Sequence, residues 1–408
     1  MDHPTLAESP KGSRIDSDRL LTPAFGLLVM AHFLQALAYA SMLLLPLYLQ
    51  HLGASHAVIG MVMATAAVSG LLLRPVVGWA LDTLGRKPTL ITCTILTAGS
   101  IWVIAFVDRI GPLIYMQRAL FGIGLGGLFT AYFTFAADLI PESRRTEGLA
   151  LFGVSGLLPL LINPFADQLE LAPADLRWFL PIVGIAVALS LLFLIPLREP
   201  IREGETRPKL NARVVVRALQ HPALWPTWLA TVVFSSLVAV FMTFATVTAE
   251  SRGIAKPASL WLSYALGAAA VRLFGGRLPD RIGPSNMVAP ALGIYIIGAF
   301  LAAEAHSFQQ FLTAALCAGI GHGYCFPVLT SQVVTRTPVA FRGSAMAMFT
   351  ALWGLSELIV SPSFGLIADH YGEMFMFWLA GTVGVVALCG WIALEHIQGP
   401  KARQPESR

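Results

Sequence analysis

The chain has 408 residues, of which 56% are hydrophobic and only 12% are charged. No water-soluble domain needs this balance, which excludes a soluble enzyme or a soluble binding domain. The formal net charge of +4 comes from bases between apolar segments, so it indicates no nucleic-acid partner.

Apolar stretches long enough to cross a bilayer recur from residue 22 to residue 396. About 20 helical residues cross the roughly 30 Å hydrocarbon core. Inside lipid, each backbone amide must bond within its own segment, so these stretches are predicted to be α-helices. They predict an all-α membrane protein with twelve spans, at residues 22–50, 56–81, 88–107, 111–139, 147–168, 177–197, 223–249, 258–278, 286–305, 308–333, 344–367 and 374–396.

The distribution of bases predicts the orientation of these spans. The N-terminal tail, residues 1–21, carries no cleavable signal pattern, so the first span is expected to act as the insertion signal. Lys and Arg are retained on the cytoplasmic side. Twelve spans put both termini on one face, and 20 of the 27 bases fall in the tails and loops of that face. Both termini are therefore predicted to be cytoplasmic.

A charged motif after the second span recurs in the second half of the chain. Around residue 78 the sequence reads GWALDTLGRK, and an Arg precedes it by four positions. The residues Arg74, Gly78, Asp82 and Gly85 return at a constant offset of 198 as Arg272, Gly276, Asp280 and Gly283. The repeat predicts two related six-helix units, at residues 22–197 and 223–396, joined by a base-rich linker at 198–222 and followed by a tail at 397–408.

At these residues the sequence resembles the major facilitator superfamily. The family hallmark, G-x-x-x-D-R-x-G-R-R/K, is matched by Gly78, Asp82, Gly85, Arg86 and Lys87, with Thr83 in place of the usual Arg. Arg118 and the spaced glycines that follow it match a second family feature in the fourth span. The resemblance covers nearly the whole chain, and it implies two pseudo-symmetric bundles around a midplane cavity.

The resemblance also implies that the motif is a conformational latch against the eleventh helix. Arg74, Gly78 and Asp82 are spaced four apart and share one helix stripe, where glycine permits close approach of a neighbour. We expect Asp82 to face the helix start near Gly343, because a helix N-terminus favours negative charge. We expect Arg86 to pair with Asp138.

The second copy of the motif predicts a second latch. Asp280 is expected to face the fifth helix near Glu147, with Arg272, Gly276 and Gly283 in the corresponding positions. The alternative is that these charges only set the topology.

Polar side chains inside the bilayer are the candidates for the transport site, because burying them there costs at least a few kcal/mol. His32, Gln35 and Tyr39 share one face of the first span. In the family the first, fourth, seventh and tenth helices line the cavity, so substrate binding or proton coupling is expected at His32, Gln35, Tyr39, Arg118 and His322. Glu357, on the eleventh span, is expected to reach the cavity or the bundle interface and to share this role. The alternatives are a simple hydrogen bond for each histidine and a structural salt bridge for Arg118.

The charges of the predicted spans favour a particular solute. The predicted spans contain three arginines, Arg74, Arg118 and Arg272, but essentially one deep carboxylate, Glu357. The interior is therefore net positive, and an anionic or zwitterionic small organic solute is expected. Glu357 or a histidine could carry a proton. Because the compact chain resembles the efflux branch of the family, we expect proton-coupled export. A proton-independent facilitator, a symport importer and a lipid flippase remain alternatives.

No sequence feature indicates an enzyme or a bound cofactor. The four cysteines, Cys93, Cys317, Cys325 and Cys389, lack ligand-like spacing, and no P-loop or catalytic grouping is present. The expectation is therefore no metal and no cofactor other than a proton gradient. The expected partners are a small-molecule substrate and the lipid bilayer, with the chain as a monomer in a bacterial inner membrane.

Overall fold

The computed structural model describes residues 19–141, 144–198, 222–276, 278–337 and 342–402. Regular structure in these ranges is helical throughout. The helices, in chain order, are α1 Pro23–Ser41, α2 Leu45–His51, α3 His56–Leu72, α4 Arg74–Thr83, α5 Arg86–Val103, α6 Pro112–Leu139, α7 Arg145–Ser155, α8 Asn163–Gln168, α9 Leu176–Leu194, α10 Trp225–Ser251, α11 Leu260–Phe274, α12 Leu278–Ile282, α13 Pro284–Glu304, α14 Phe308–Thr335 and α15 Arg342–Ala402.

Several predicted spans are bent or broken where proline or glycine interrupts the helix. A turn at Met42–Leu44 separates α1 from α2, and α3 bends by 45° into α4, which has a proline in its first turn. Proline removes a backbone donor and clashes with the preceding turn, so the helix changes direction there. In α15 the break is at Gly372, whose φ of 84° is not helical.

Length and composition confirm most of the predicted spans but not the total of twelve. Among the described residues, eight helical segments are long and apolar enough to cross a membrane, or nine if α3 and α4 count as one span. The segment that contains α15 covers both the eleventh and the twelfth predicted spans. The fifth is split by a 3₁₀ segment, Leu158–Ile162, and the eighth, α11, has only 15 residues. The count of twelve spans stays a prediction.

The helices pack into two bundles, as the predicted fold requires. In the first bundle α5 and α3 pack on α6, and α1 packs on α9. The second bundle repeats this pattern, since α13 and α11 pack on α14 and α10 packs on α15. The bundles meet where α3 lies on α15, α2 on α10, and α8 on Pro257–Ser259.

Two glycines of the repeated motif have a structural role that other residues fill poorly. Gly85 has a φ of 99° and directly precedes α5, and Gly283 has a φ of 91° and directly precedes α13. Residues with a Cβ rarely adopt this conformation. The repeat detected in the sequence is therefore present in the backbone as two equivalent helix starts.

Small residues allow the two bundles to touch along α3 and α15. A Cβ at Gly60 would overlap the Ser361 carbonyl, and a Cβ at Gly365 would overlap the His56 carbonyl. Membrane helices associate by packing rather than by hydrophobic burial, so such close contacts stabilise the interface.

The two membrane faces are named here by what they contain. The near face holds the first and last described residues of the helical bundles, at Leu20 and Ile397, together with the motif residue Gly85. The far face holds the opposite helix ends, among them His51 and Ser251.

Candidate functional site

Arg118 and Glu357 form the charged centre of the candidate site. Arg118 lies in α6 of the first bundle and is only 3% exposed, while Glu357 lies in α15 of the second bundle and is partly exposed. The two groups interact electrostatically across the bundle boundary. No direct ion pair is recorded between these two described residues, and the Nε and Nη1 groups of Arg118 have no hydrogen-bond partner within the protein.

Tyr39 connects this centre to the second bundle. Its hydroxyl donates to the Met242 sulfur at 2.7 Å, across the contact between the first and seventh spans. The side chain also interacts with Glu357 and keeps 38% of its surface accessible. Gln35, one helical turn earlier, is 3% exposed, and its Nε2 has no partner among the described residues. Gln35 and Tyr39 share one stripe of α1, and their role in transport stays a prediction.

A second group of polar side chains continues from Tyr39 into the second bundle. Tyr39 lies near Tyr264, whose hydroxyl lies 2.5 Å from His322 Nδ1. Arg272 lies near both Tyr264 and His322, and its Nε has no hydrogen-bond partner among the described residues. The candidates Arg118, Glu357, Tyr39, His322 and Arg272 therefore belong to one series of neighbouring polar side chains across both bundles.

His322 is embedded in aromatic rings. The ring centroids of Phe234 and Trp353 lie 5.2 Å and 6.2 Å from that of His322, and Phe326 is stacked at 6.4 Å. The hydrogen bond to Tyr264 accounts for one ring nitrogen, which supports the structural interpretation of His322 as a hydrogen-bonded packing residue. The second ring nitrogen leaves the functional interpretation, substrate binding or proton coupling, as a prediction.

His32 does not join this series, contrary to the expectation that it faces the cavity beside Gln35 and Tyr39. It is 6% exposed and packs inside the first bundle, stacked on Phe152 at 4.3 Å and 5.0 Å from the Tyr132 ring. Its Nδ1 lies 2.7 Å from Ser155 Oγ, and that hydroxyl donates to the Phe152 carbonyl. The hydroxyl has one proton, so His32 Nδ1 is the donor. The residue is a hydrogen-bonded packing element between the first and fifth spans.

The two repeated arginines both contact the opposite bundle. Arg74 donates from Nη1 to Thr350 Oγ1 of α15. Arg272 lies close to the fifth span, since a Cβ at Gly153 would stand 3.7 Å from its Nη1. These contacts place both arginines at the bundle boundary, where a gate residue is expected.

The predicted pair of Arg86 and Asp138 is present, with Nε and Oδ2 3.2 Å apart. Arg86 also donates to the Leu81 carbonyl, so the pair fixes the end of α4 to α6. The side chains of Asp82, Glu147, Asp280 and Gly343 lie outside the described residues, and their predicted contacts stay predictions.

The expectation that Gly78 permits close packing of a neighbour stays a prediction, because the side chains at the helix start near Gly343 lie outside the described residues. No described atom lies within 4 Å of a Cβ built on Gly78. Gly276 approaches only the carbonyl of Arg272 in its own helical turn. Close approach of the bundles occurs instead at Gly60 and Gly365, nearer the far face.

Sequence reasoning missed a set of charged groups that bridge the bundles at the far face. Asp369 accepts from the backbone N–H groups of His56 and Ala57, at 2.7 Å and 2.9 Å. Asp167 accepts from Ala258 N–H at 3.3 Å and from the Ser259 hydroxyl at 2.7 Å. The signal that could have revealed these groups is the recurrence of an aspartate at the end of the fifth span and of the eleventh.

The far face also contains a small cavity of about 100 Å³ between the bundles. It is lined by residues of α2, α8 and α10, including Leu47, Asp167 and Glu250. It lies away from Glu357, and the predicted midplane cavity stays a prediction. In the described part of the chain, no cluster of three His, Cys, Asp or Glu is arranged to hold a metal.

Comparisons with known proteins agree with this architecture. The family model of the Major Facilitator Superfamily matches residues 27–263 and 249–408. The probable nitrate/nitrite transporter NarK2 of Mycobacterium tuberculosis is 28% identical over 390 residues, which covers 88% of this chain and 91% of that protein. The staphylopine export protein of Staphylococcus aureus is 23% identical, covering 84% and 89% of the two chains.

Solved structures show the same fold. The crystal structure of the nucleoside transporter NupG superposes with a TM-score of 0.75, covering 91% of this chain and 99% of that one, at 15% sequence identity. At this identity the likeness concerns the fold alone.

Proposed function

This chain belongs to the Major Facilitator Superfamily and is a multi-pass membrane transporter rather than an enzyme, and on that premise we propose that it exports a small anionic or zwitterionic organic solute in exchange for protons. The near face is then cytoplasmic, as the distribution of bases predicts. Export proceeds by alternating access, in which the two bundles pivot about the site at Arg118 and Glu357.

The observation that carries the proposal is that the Nε and Nη1 groups of Arg118 have no hydrogen-bond partner among the described residues. Buried N–H groups without a partner cost about 1–3 kcal/mol each, and more when they are charged. A carboxylate or similar anion beside Arg118 would accept from a free N–H group and balance the charge of the guanidinium. Arg118 is therefore the best candidate for the group that binds the negative charge of the solute.

Glu357 is the proposed proton carrier. It interacts with Arg118 from the opposite bundle. When a zwitterionic solute places its carboxylate at Arg118, its cationic group pairs with ionised Glu357. A proton on Glu357 removes that pairing, so the proton and the solute exclude each other. Mutually exclusive binding of the solute and the proton couples solute movement in one direction to proton movement in the other.

A second function, uptake of a small inorganic anion, has one specific observation in its favour. The relative from M. tuberculosis is described as a probable nitrate/nitrite transporter and covers 88% of this chain. The staphylopine export protein favours an organic solute moved outward.

Transport into reconstituted vesicles distinguishes these functions. Purified protein is reconstituted, and flux of nitrate and of a panel of organic acids and amino acids is measured with and without a pH gradient. Candidate solutes are first ranked by thermal shift, since a ligand that binds the native state raises its melting temperature. The proposal predicts organic anion flux that the gradient accelerates and that Glu357→Gln abolishes. Flux that ignores the gradient would indicate a facilitator, and nitrate flux without organic anion flux would indicate the second function.

A further inference from the structure

The far face is held closed by two equivalent aspartate contacts. Asp167, at the end of α8, caps the start of the segment leading into α11, and Asp369, in the middle of α15, caps the start of α3. Asp369 follows Asp167 by 202 positions, and the bonded residues Ala258 and Ser259 follow His56 and Ala57 by the same 202. Each contact joins one bundle to the other, and the two are related by the internal repeat.

These contacts stabilise closure for a simple reason. A carboxylate that accepts from the free N–H groups at a helix start satisfies orphan donors, and it interacts favourably with the partial positive charge there. When the bundles separate at the far face, both carboxylates lose these partners. Closure at this face therefore depends on acids at the ends of the fifth and eleventh spans.

One of the two contacts has two additional titratable groups that the other lacks. His56 Nδ1 lies 3.0 Å from Asp369 Oδ1, and His56 Nε2 lies 3.0 Å from Glu373 Oε1. At the equivalent positions of the other contact the residues are Ala258 and Leu171. The His56 and Asp369 side chains are each 21% exposed and that of Glu373 is 13% exposed, so water on the far side reaches them.

The geometry requires a bound proton when the cluster is closed. Ionised carboxylates only accept hydrogen bonds, and both ring nitrogens of a histidine donate only in the imidazolium form. If one carboxyl group is protonated and the ring is neutral, the cluster still holds the same additional proton. A neutral ring between two ionised carboxylates leaves one nitrogen lone pair facing an acceptor.

Neighbouring groups stabilise the ionised form of Glu373. From α10, the Ser251 hydroxyl donates to Glu373 at 2.7 Å, and Arg252 interacts electrostatically with Glu373. The Phe244 ring of α10 lies 6.2 Å from the His56 ring. Asp369 and Glu373 are the charged groups of α15 that face the imidazole.

We propose that His56, Asp369 and Glu373 form a proton-binding latch, so that closure of the far face takes up one proton from the far side. Opening returns the proton to the same side, so the latch regulates the gate and moves no proton across the membrane. Acid on the far side favours the closed state, and the Asp167 contact has no histidine to take up such a proton. The inference rests on the proposed alternation of the two bundles but not on the solute or on Glu357.

The linkage between proton binding and closure sets the sign and size of the expected pH effect on the closed fraction. The closed state binds one more proton than the open state, so the closed fraction must fall as the pH rises. An exposed imidazole titrates near pH 6.5. Above that pH, and until the closed cluster itself loses its proton, the ratio of closed to open molecules falls by up to tenfold per pH unit.

Distance measurements between spin labels on the two bundles test this directly. Labels are placed at Ala174→Cys and Gln309→Cys, both exposed at the far face, in protein whose four native cysteines are replaced. Distances are measured from pH 5.5 to pH 8.5 in nanodiscs without solute. The expected result is a long-distance population that grows with pH in the parent protein and has little pH dependence in His56→Gln.

A matched variant at the other contact separates the latch from general destabilisation. Asp167→Asn is expected to raise the open population at every pH while keeping the pH slope of the parent. Glu373→Gln is expected to reduce the slope, which covers the case that His56→Gln fails to fold. Asp175→Ala, which removes a cap within the first bundle, is expected to leave the distances unchanged. A parent protein without a pH slope, or a slope that persists in both His56→Gln and Glu373→Gln, overturns the proposal.

Failure of the latch and failure of the proposed function are distinguishable. Loss of the pH slope concerns only the far-face distances, which are measured without solute. Absence of gradient-driven flux in vesicles concerns Arg118 and Glu357 and leaves the far-face slope unaffected.

Discussion

At the scale of single residues, the roles proposed for Glu357 and Arg118 depend on charge and hydrogen-bond geometry rather than on packing. Glu357→Gln keeps the size and polarity of the side chain but removes its ability to bind and release a proton. We expect gradient-driven transport to fall by at least about tenfold while the protein remains folded, as measured by vesicle flux and size-exclusion chromatography.

The same substitution at Glu250 provides the control. Glu250 lies at the far end of α10 and lines the small far-face cavity, so Glu250→Gln is expected to retain gradient-driven transport. Full transport by Glu357→Gln would remove Glu357 from the coupling mechanism.

Arg118→Lys tests whether the guanidinium fork recognises the solute. Lysine keeps the positive charge but presents a single ammonium group in place of two parallel donors. We expect solute affinity to fall about tenfold, or about 1.4 kcal/mol, in thermal-shift titrations. Arg177→Lys, which alters an arginine bonded to the Ala105 carbonyl at the far face, is the control and should bind normally. Unchanged affinity in Arg118→Lys would show that Arg118 contributes charge alone.

Some contacts of single residues could be predicted from the sequence and others could not, depending on the position of the residues in the chain and in the membrane. Arg86 and Asp138 were found because the first belongs to a recognisable motif and the second ends a span. His56 and Asp369 are separated by 313 positions and lie near the membrane surface, where charge is ordinary. Candidates for the site were polar residues deep within the predicted spans. This criterion selected His32, whose side chain is packed inside the first bundle, and missed the cluster of His56, Asp369 and Glu373 near the membrane surface.

At the scale of helices, the contact between α3 and α15 depends on glycine. Gly60→Val would place side-chain atoms on the Ser361 carbonyl and force the helices apart. Overpacking of this kind costs about 1–3 kcal/mol, so the closed far face should be depopulated and transport should fall by tenfold or more. Far-face spin-label distances and vesicle flux measure both effects.

Gly99→Val is the matched control for this substitution. Gly99 also lies within a helix, and no atom stands within 4 Å of a Cβ built there. This variant should retain transport. If Gly60→Val also retains both the closed distances and the flux, close contact of α3 with α15 is not required.

The near-face latch is tested by Asp82→Asn, which removes the charge of the motif aspartate. We expect solute binding to be retained and turnover to fall by about tenfold, because the charge would no longer stabilise the closed near face against a helix start. Thermal-shift titration and vesicle flux separate the two quantities. Asp108→Asn, an exposed far-face substitution, is the control, and normal turnover in Asp82→Asn would exclude the latch.

Helix positions were predictable from hydropathy, but helix continuity was not. The apolar pattern predicts one continuous fifth span, whereas the chain there divides into α7, a 3₁₀ segment and α8. A hydropathy window averages over Pro159 and Pro164 and so cannot register the break. The repeated glycines of the motif, in contrast, coincide with equivalent helix starts after Gly85 and Gly283, where the positive φ values favour glycine.

At the scale of the whole molecule, the described contacts between the bundles form a closed far face. They run from Arg74 and Thr350 through Tyr39 and Met242 to the far-face aspartates. Two bundles that meet along three pairs of spans can pivot only if one set of contacts breaks as another forms.

The most direct test of the central claim measures both faces of one protein. Spin-label pairs are placed across the far face, at Ala174 and Gln309, and across the near face, at Leu84 and Thr335, all exposed positions. The account predicts two populations at each face that change in opposite directions when the pH or a bound solute shifts the equilibrium. Distances that stay single at both faces, or that widen at both faces together, would contradict it.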